Sequence, residues 1–302
     1  MYKKLSSFIL LTFLFTGCAN GDGLSMYGKD GYDFTFFSVK DKQDLIDVSN
    51  VLCQYSHGAS KECDTYLSPT FNFPKDSLMV QKDIVRSGST AFKFVNGEGD
   101  CGSHKVKKWD DCDTYRERTE ISMNALKTKD TWFKFSVFIP EESAFDVPIS
   151  NTIWQIHLKN SPPIFMFRIG PKGNLLWADF VNNDWGGVTY KKILDAKYVK
   201  GQWNDFVVNI DFVKWPNKSY IKVWANDELK VNYNASTTGP LSSKPYMKFG
   251  IYKSNISRFI GKHNYNPPKR ADTIVYYDAI SIGNNCKQLN LEYEGNSCSN
   301  LK

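Results

Sequence analysis

The chain has 302 residues, with 15% aromatic and 23% charged, which excludes a disordered chain, a coiled coil and a collagen-like repeat. Its net charge of +6 is too small for the dense basic stripe of a nucleic-acid binder, and fits an anionic partner such as a polysaccharide bearing carboxylates. Length alone suggests about two domains on the ~150-residue prior, although all-β sandwiches run to ~250 residues as one domain.

Residues 1–17 read as a signal peptide: Lys3 and Lys4 precede an apolar run from Leu5 to Phe15 that is too short to span a bilayer. Phe15-Thr16-Gly17-Cys18 is similar to the lipobox of bacterial lipoproteins, with Phe15 where Leu is usual. Acylated Cys18 would then be the mature N-terminus, and residues 18–32, rich in Gly, Asp and Ser, a lipid-anchored tether. Loss of Lys3 and Lys4 lowers the surplus from +6 to +4. The expected location is the outer membrane or cell surface of a bacterium, with the periplasmic side open.

Besides Cys18, six cysteines fall into three local pairs by spacing: Cys53–Cys63, Cys101–Cys112 and Cys286–Cys298. Each would close a short loop in an oxidising compartment, contributing ~2–3 kcal/mol in the chain-entropy model. They form no C-x-x-C, and no His stands directly beside any of them, which makes a metal site the weaker alternative.

From residue 33 onward the chain reads as strands. They are expected at Asp33–Val39, Thr90–Val95, Thr119–Met123, Trp132–Ile139, Thr152–Leu158, Ile164–Ile169, Leu175–Phe180, Trp203–Phe212, Tyr220–Ala225, Tyr246–Tyr252 and Thr273–Ile282. Turn residues such as Pro171-Lys172-Gly173-Asn174 and Asn226-Asp227 separate them. The single helical pattern is Lys42–Val51. Strands without intervening helices predict an all-β protein, a β-sandwich or jelly roll of two antiparallel sheets.

Three of these strands carry polar groups on one face. Alternation puts Trp154, Ile156 and Leu158 on one side, and Gln155 and His157 on the other. Met247, Phe249 and Ile251 oppose Tyr246, Lys248, Gly250 and Tyr252, while Arg116, Arg118 and Glu120 share a face. Gly250 marks a place where a backbone or a ligand comes close. If the polar faces line one concave sheet, they make a groove, and the residues from Arg118 to Tyr252 must then belong to one domain, 33–302. Taken singly, each has a plainer role: His157 as a hydrogen-bonded strand residue, Arg118 with Glu120 as an ion pair bracing the sheet, Lys248 and Tyr252 as a solvated face.

Arg118-Thr119-Glu120, Gln155-Ile156-His157 and Tyr246-Met247-Lys248-Phe249-Gly250-Ile251-Tyr252 together resemble the R-T-E-L, Q-I-H and Y-F-K-A-G-x-Y motifs of the alginate lyases, which are jelly-roll polysaccharide lyases. Ile121, Met247 and Phe249 depart from that pattern. The flanks, Gly201–Val208, Tyr220–Asn226 and Thr273–Gly283, are closer to the heparin lyase I and glucuronan lyase branch. The resemblance spans residues 85–283 and implies β-elimination on a uronic-acid polysaccharide such as alginate, glucuronan or a heparin-like polymer.

That chemistry needs these residue types. The C5 proton of a uronate lies α to a carboxylate. Arg118 and Gln155 would disperse the carboxylate charge, while His157 and Tyr252 serve as base and acid. Either could be the base, depending on the epimer at C5. Lys248, Arg116 and Tyr246 would bind substrate, and Glu120 would be structural. The pattern demands no catalytic metal or cofactor and leaves a structural calcium open. The expected partners are an anionic uronate polysaccharide and, through the anchor, a membrane; no nucleic acid, and a monomeric chain. A non-catalytic carbohydrate-binding lipoprotein on the same fold is the second reading. A glycoside hydrolase is the third, and it lacks a paired-carboxylate pattern on a strand.

Overall fold

Alternating apolar residues make strands with one face to bury, and two such sheets bury their faces against each other. A computed structural model describes residues 24–25 and 77–301, with gaps at 89–90, 105–108, 126–128, 159–161, 182–186, 239–244, 290 and 292–294. The expected signal peptide, Cys18, the strand Asp33–Val39, the helix Lys42–Val51 and the pair Cys53–Cys63 lie outside the described residues.

In chain order the strands are β1 (Leu24–Ser25), β2 (Leu78–Gln81), β3 (Ala91–Asn96), β4 (Ser103–His104), β5 (Trp109–Asp110), β6 (Glu117–Ala125), β7 (Asp130–Phe138), β8 (Ser150–Leu158), β9 (Pro163–Ile169), β10 (Leu175–Asp179), β11 (Thr189–Leu194), β12 (Trp203–Asp211), β13 (Ser219–Ala225), β14 (Glu228–Ala235), β15 (Pro245–Ser254) and β16 (Thr273–Gly283). One sheet runs β14-β13-β12-β7-β16-β3-β2, with β1 also beside β16; the other runs β11-β10-β9-β8-β15-β6. The pairings within both are antiparallel, and β4 and β5 form a separate ribbon. The all-β jelly roll is therefore observed. Leu24–Ser25, inside the stretch read as a tether, pair with Ile282 and Ser281.

The core between the sheets is aromatic. Trp154 of the smaller sheet stacks on Phe135 of the larger with ring centroids 5.5 Å apart, and Phe249 meets Phe94 edge-on at 5.8 Å. On the outside of the larger sheet, Leu289 and Leu291 of the C-terminal segment cover Val207 and Trp224. The Cys286–Cys298 disulfide closes that segment, with Cα atoms 5.9 Å apart.

Strands β2, β11 and β14 were not expected from the sequence. They lie at sheet edges, and Lys191, Lys192 and Lys230 interrupt the apolar alternation of the latter two. A short helix, α1 (Ile256–Lys262), forms where the sequence showed no helical pattern. At seven residues it is too brief to show a clear period, but Ile256 and Phe259 sit three apart and pack on Ile149. It follows directly on β15 and lies against the loop before β6, with Ile256 N–H donating to the Tyr115 carbonyl at 3.2 Å.

Candidate active site

β8, β15 and β6 are neighbours at one end of the smaller sheet. Trp154, Ile156, Met247, Phe249 and Ile251 turn into the core, and each is at most 2% exposed. Alternation then delivers Arg118, Glu120, Gln155, His157, Tyr246, Lys248 and Tyr252 to the opposite face. The register sets Tyr252 beside Arg118, Lys248 beside Gln155 and Tyr246 beside His157. Gly250 lies opposite Glu120 at φ +128°, and a Cβ there would collide with the Thr119 carbonyl oxygen. Its missing side chain thus admits the neighbouring backbone, and no space is left over for a ligand.

Glu120 is the hub. Gln155 Nε2 donates to its Oε1, while Lys248 Nζ lies 3.3 Å and Arg118 Nη1 3.5 Å from its Oε2. Arg118 makes its tighter contact elsewhere. Its Nε and Nη2 grip the two carboxylate oxygens of Asp111, the latter at 2.8 Å. Asp111 adjoins Cys112, which the Cys101–Cys112 disulfide ties back across the loop with Cα atoms 5.4 Å apart. The Arg118 guanidinium lies 4.7 Å from the Tyr252 ring centroid.

The protonation states follow from these surroundings. His157 Nδ1 lies 2.7 Å from the Leu158 carbonyl oxygen, which can only accept; Nδ1 therefore carries the proton and Nε2 the lone pair. Burial, reinforced by the positive charges of Lys248 and Arg118, lowers the His157 pKa to about 3, so the imidazole is neutral. The Tyr246 hydroxyl lies 3.2 Å from the same Nδ1, and burial with Glu120 nearby pushes its pKa to about 12. Burial also raises the Tyr252 phenol, against the pull of Arg118 and Arg116, and keeps it as O–H. Burial lowers Lys248, and Glu120 opposes the fall. Gln155 and Glu120 form a nearly closed floor, each 2% exposed, whereas solvent reaches Arg118, His157, Tyr246 and Tyr252.

Arg116 precedes β6, is exposed, and donates to Thr114 Oγ1 at 3.4 Å, so it stands at the rim. The sequence reading missed Asp111, which arrives from a loop. It also missed Thr152, Arg168 and Tyr190 on the same face. The register could have found Arg168, the one charged residue in a strand otherwise apolar. Among the described residues, the only group of His, Cys, Asp or Glu close enough to share an ion is Cys101, Asp110 and Cys112, and its two sulfurs form the disulfide.

A sequence profile of the polysaccharide lyase family matches residues 47–281. The chain belongs to the polysaccharide lyase family. Its substrate is accordingly a polysaccharide. No curated protein matches it by sequence. Among solved structures, the endo-β-1,4-glucuronan lyase of the fungus Trichoderma reesei is similar at TM-score 0.55 and 16% identity, over 72% of this chain and 92% of that one. A family 7 alginate lyase, A1-II′, gives 0.46 at 13% identity over 70% and 83%; alginate lyase PA1167 of Pseudomonas aeruginosa gives 0.45 at 14% over 68% and 85%. At these identities the first likeness speaks to the fold, a jelly roll shared by this lyase and its neighbour.

Proposed function

We propose that this lyase cleaves a uronate-containing anionic polysaccharide by β-elimination, with His157 as the base and Tyr252 as the acid. The observation that carries the assignment is the neutral His157, its Nε2 lone pair unprotonated, on the same sheet face as a protonated Tyr252 backed by Arg118.

Nε2 of His157 takes the C5 proton, and the electrons of the C5–H bond form the C4=C5 double bond. The C4–O4 bond breaks, and the departing O4 takes the Tyr252 proton. Charge builds on the sugar carboxylate as C5–H breaks. In this reading Arg118, the second amide hydrogen of Gln155 and the Lys248 ammonium hold it. Arg118 then stabilises the Tyr252 phenolate until the proton held by His157 is returned through solvent. Glu120 and Asp111 position these donors. Alginate, glucuronan and heparin-like polymers all present the C5 proton and carboxylate this chemistry requires.

Incubation with a panel of these polymers, read by near-ultraviolet absorbance of the 4,5-unsaturated end, tests the reading. Absorbance rising with at least one polymer is expected. Retention on an acidic polysaccharide without any new absorbance would instead favour a non-catalytic binding protein.

We further propose export through the N-terminal signal and anchoring by acylated Cys18. The Cys101–Cys112 and Cys286–Cys298 disulfides support an oxidising compartment. Cys18→Ala should release the protein from membranes and remove the acyl-chain mass; unchanged membrane retention would contradict the anchor.

A further inference from the structure

On the sheet face of the candidate site the charges cancel, and Arg116 at the rim adds a cation close enough to act on Tyr252. Arg118 and Lys248 are the cations, and Asp111 and Glu120, in ion-pair contact with them, are the carboxylates. The neutral His157 adds nothing. Local donors can orient a uronate there, but apart from Arg116 at its rim the cluster offers no net attraction for a polyanion. Any further surplus charge on the same face comes from another part of the sheet.

The register shows where. Directly opposed residues of neighbouring strands share a face, and the row that begins Arg118–Tyr252 continues through Thr152 to Arg168 on β9. Tyr190 of β11 reaches the same face in the adjacent row, through Ala178, Met166 and Gln155. Arg168 Nη1 donates to the Tyr190 hydroxyl at 2.5 Å, and its Nη2 to Ser150 Oγ. Both partners are neutral hydroxyls. Among the described residues no carboxylate pairs with Arg168. Lys192, further along the row, is already paired with Asp195 at 2.6 Å. Arg168 is half-buried and Tyr190 is 47% exposed. The guanidinium is therefore held in place by groups that leave its charge uncompensated, beside a ring open to solvent. Three strand steps separate Arg168 from Arg118, about 14 Å at the usual spacing, which is more than one sugar away from the scissile bond.

We propose that Arg168, steadied by Tyr190, binds the carboxylate of a sugar remote from the cleaved bond, and that this subsite strengthens the preference for an anionic chain. The inference deepens the uronate-lyase reading and takes from it only the anionic character of the polymer.

Affinity electrophoresis in gels containing alginate, glucuronan or a neutral glucan, with Tyr252→Phe as the shared background so that the polymer is not cut, measures binding without turnover. Arg168→Gln keeps hydrogen-bonding groups for Ser150 and Tyr190 and removes the charge. Lys222→Gln, on the other sheet, is the control for an equal change in net charge. Arg168→Gln should weaken retention by a uronate polymer at least ~10-fold, the scale of one lost charge-assisted bond, while Lys222→Gln and the neutral gel show little difference. In turnover the loss should fall on KM rather than kcat. Equal effects of the two variants, an unshifted retention, or a Tyr252→Phe parent not retained by any uronate polymer would overturn the subsite. Retention lost in Arg168→Gln with no unsaturated product from the wild type would sink the lyase chemistry and leave the subsite standing.

Discussion

Strands β6 and β15 carry the same residue types on both faces, yet the two faces are built for different ends. On the core face, Glu117 accepts both arms of the Arg270 guanidinium, at 2.9 and 2.5 Å, and the Gly99 N–H at 2.8 Å. Lys253 lies 3.8 Å from Glu117 and donates to the Asn96 carbonyl at 2.9 Å. Glu117 is 3% exposed and Lys253 is 1% exposed. On the groove face, Glu120 likewise gathers a Lys and an Arg, but donors remain. Among the described residues Glu120 is the one partner of Lys248, and Gln155 spends one of two amide hydrogens on it. A closed network fixes the sheet. An open one of the same composition holds hydrogens in place for a ligand.

The contrast breaks most visibly at Glu117. Glu117→Ala leaves the buried Lys253 without its carboxylate and Arg270 with only Glu98, 3.8 Å away, and should cost about 3–5 kcal/mol of stability, read by urea unfolding. Glu120→Gln should cost less, about 1–2 kcal/mol, because Arg118 keeps Asp111 and the groove admits water. Next come His157→Ala and Tyr252→Phe. Each should lower kcat at least ~100-fold while the urea midpoint stays near that of the wild type; near-normal rates in both would refute the acid and base roles. Asp111→Asn removes the grip on Arg118 and should lower kcat about 10-fold.

The smallest effect is on pH dependence. Because His157 titrates at about 3, kcat/KM should hold as pH falls through 6.5 and decline only well below it. The same shift bears on stability. Between about 3 and the ordinary value near ~6.5 the unfolded chain binds a proton that the native state refuses. Stability should therefore fall as pH is lowered across that window, and His157→Gln should flatten the slope. An acid limb of kcat/KM near pH 6.5 would contradict the neutral, buried imidazole.

The sequence made much of this legible, because strand parity is a two-residue rule that needs no partner strand. Gln155 with His157, and Lys248 with Tyr252, were assigned to a polar face from alternation alone, and the structure puts both pairs on one side of one sheet. Parity gave less where the chain leaves the strand. Arg116 sits one residue before β6 and is exposed, beyond the strand pattern that assigned its face, although its charge still acts on Tyr252. Asp111 was hidden because a loop brings it to Arg118, and no periodicity marks a loop. Arg168 was hidden by its apolar neighbours in Pro163–Ile169, and only the pairing of β8 with β9 aligns it with Tyr252. Which of His157 and Tyr252 is the base was left open for a physical reason as well. Their protonation states depend on burial and on nearby Lys248 and Arg118, which are tertiary properties.

The central claim is that the glycosidic bond is broken by elimination. Cleavage of a uronate polymer in oxygen-18-labelled water, followed by mass spectrometry of the fragments, tests it most directly. Elimination predicts fragments whose masses sum to that of the parent, with no label and an unsaturated non-reducing end. Fragments heavier by one labelled water per cut would show hydrolysis and contradict the account.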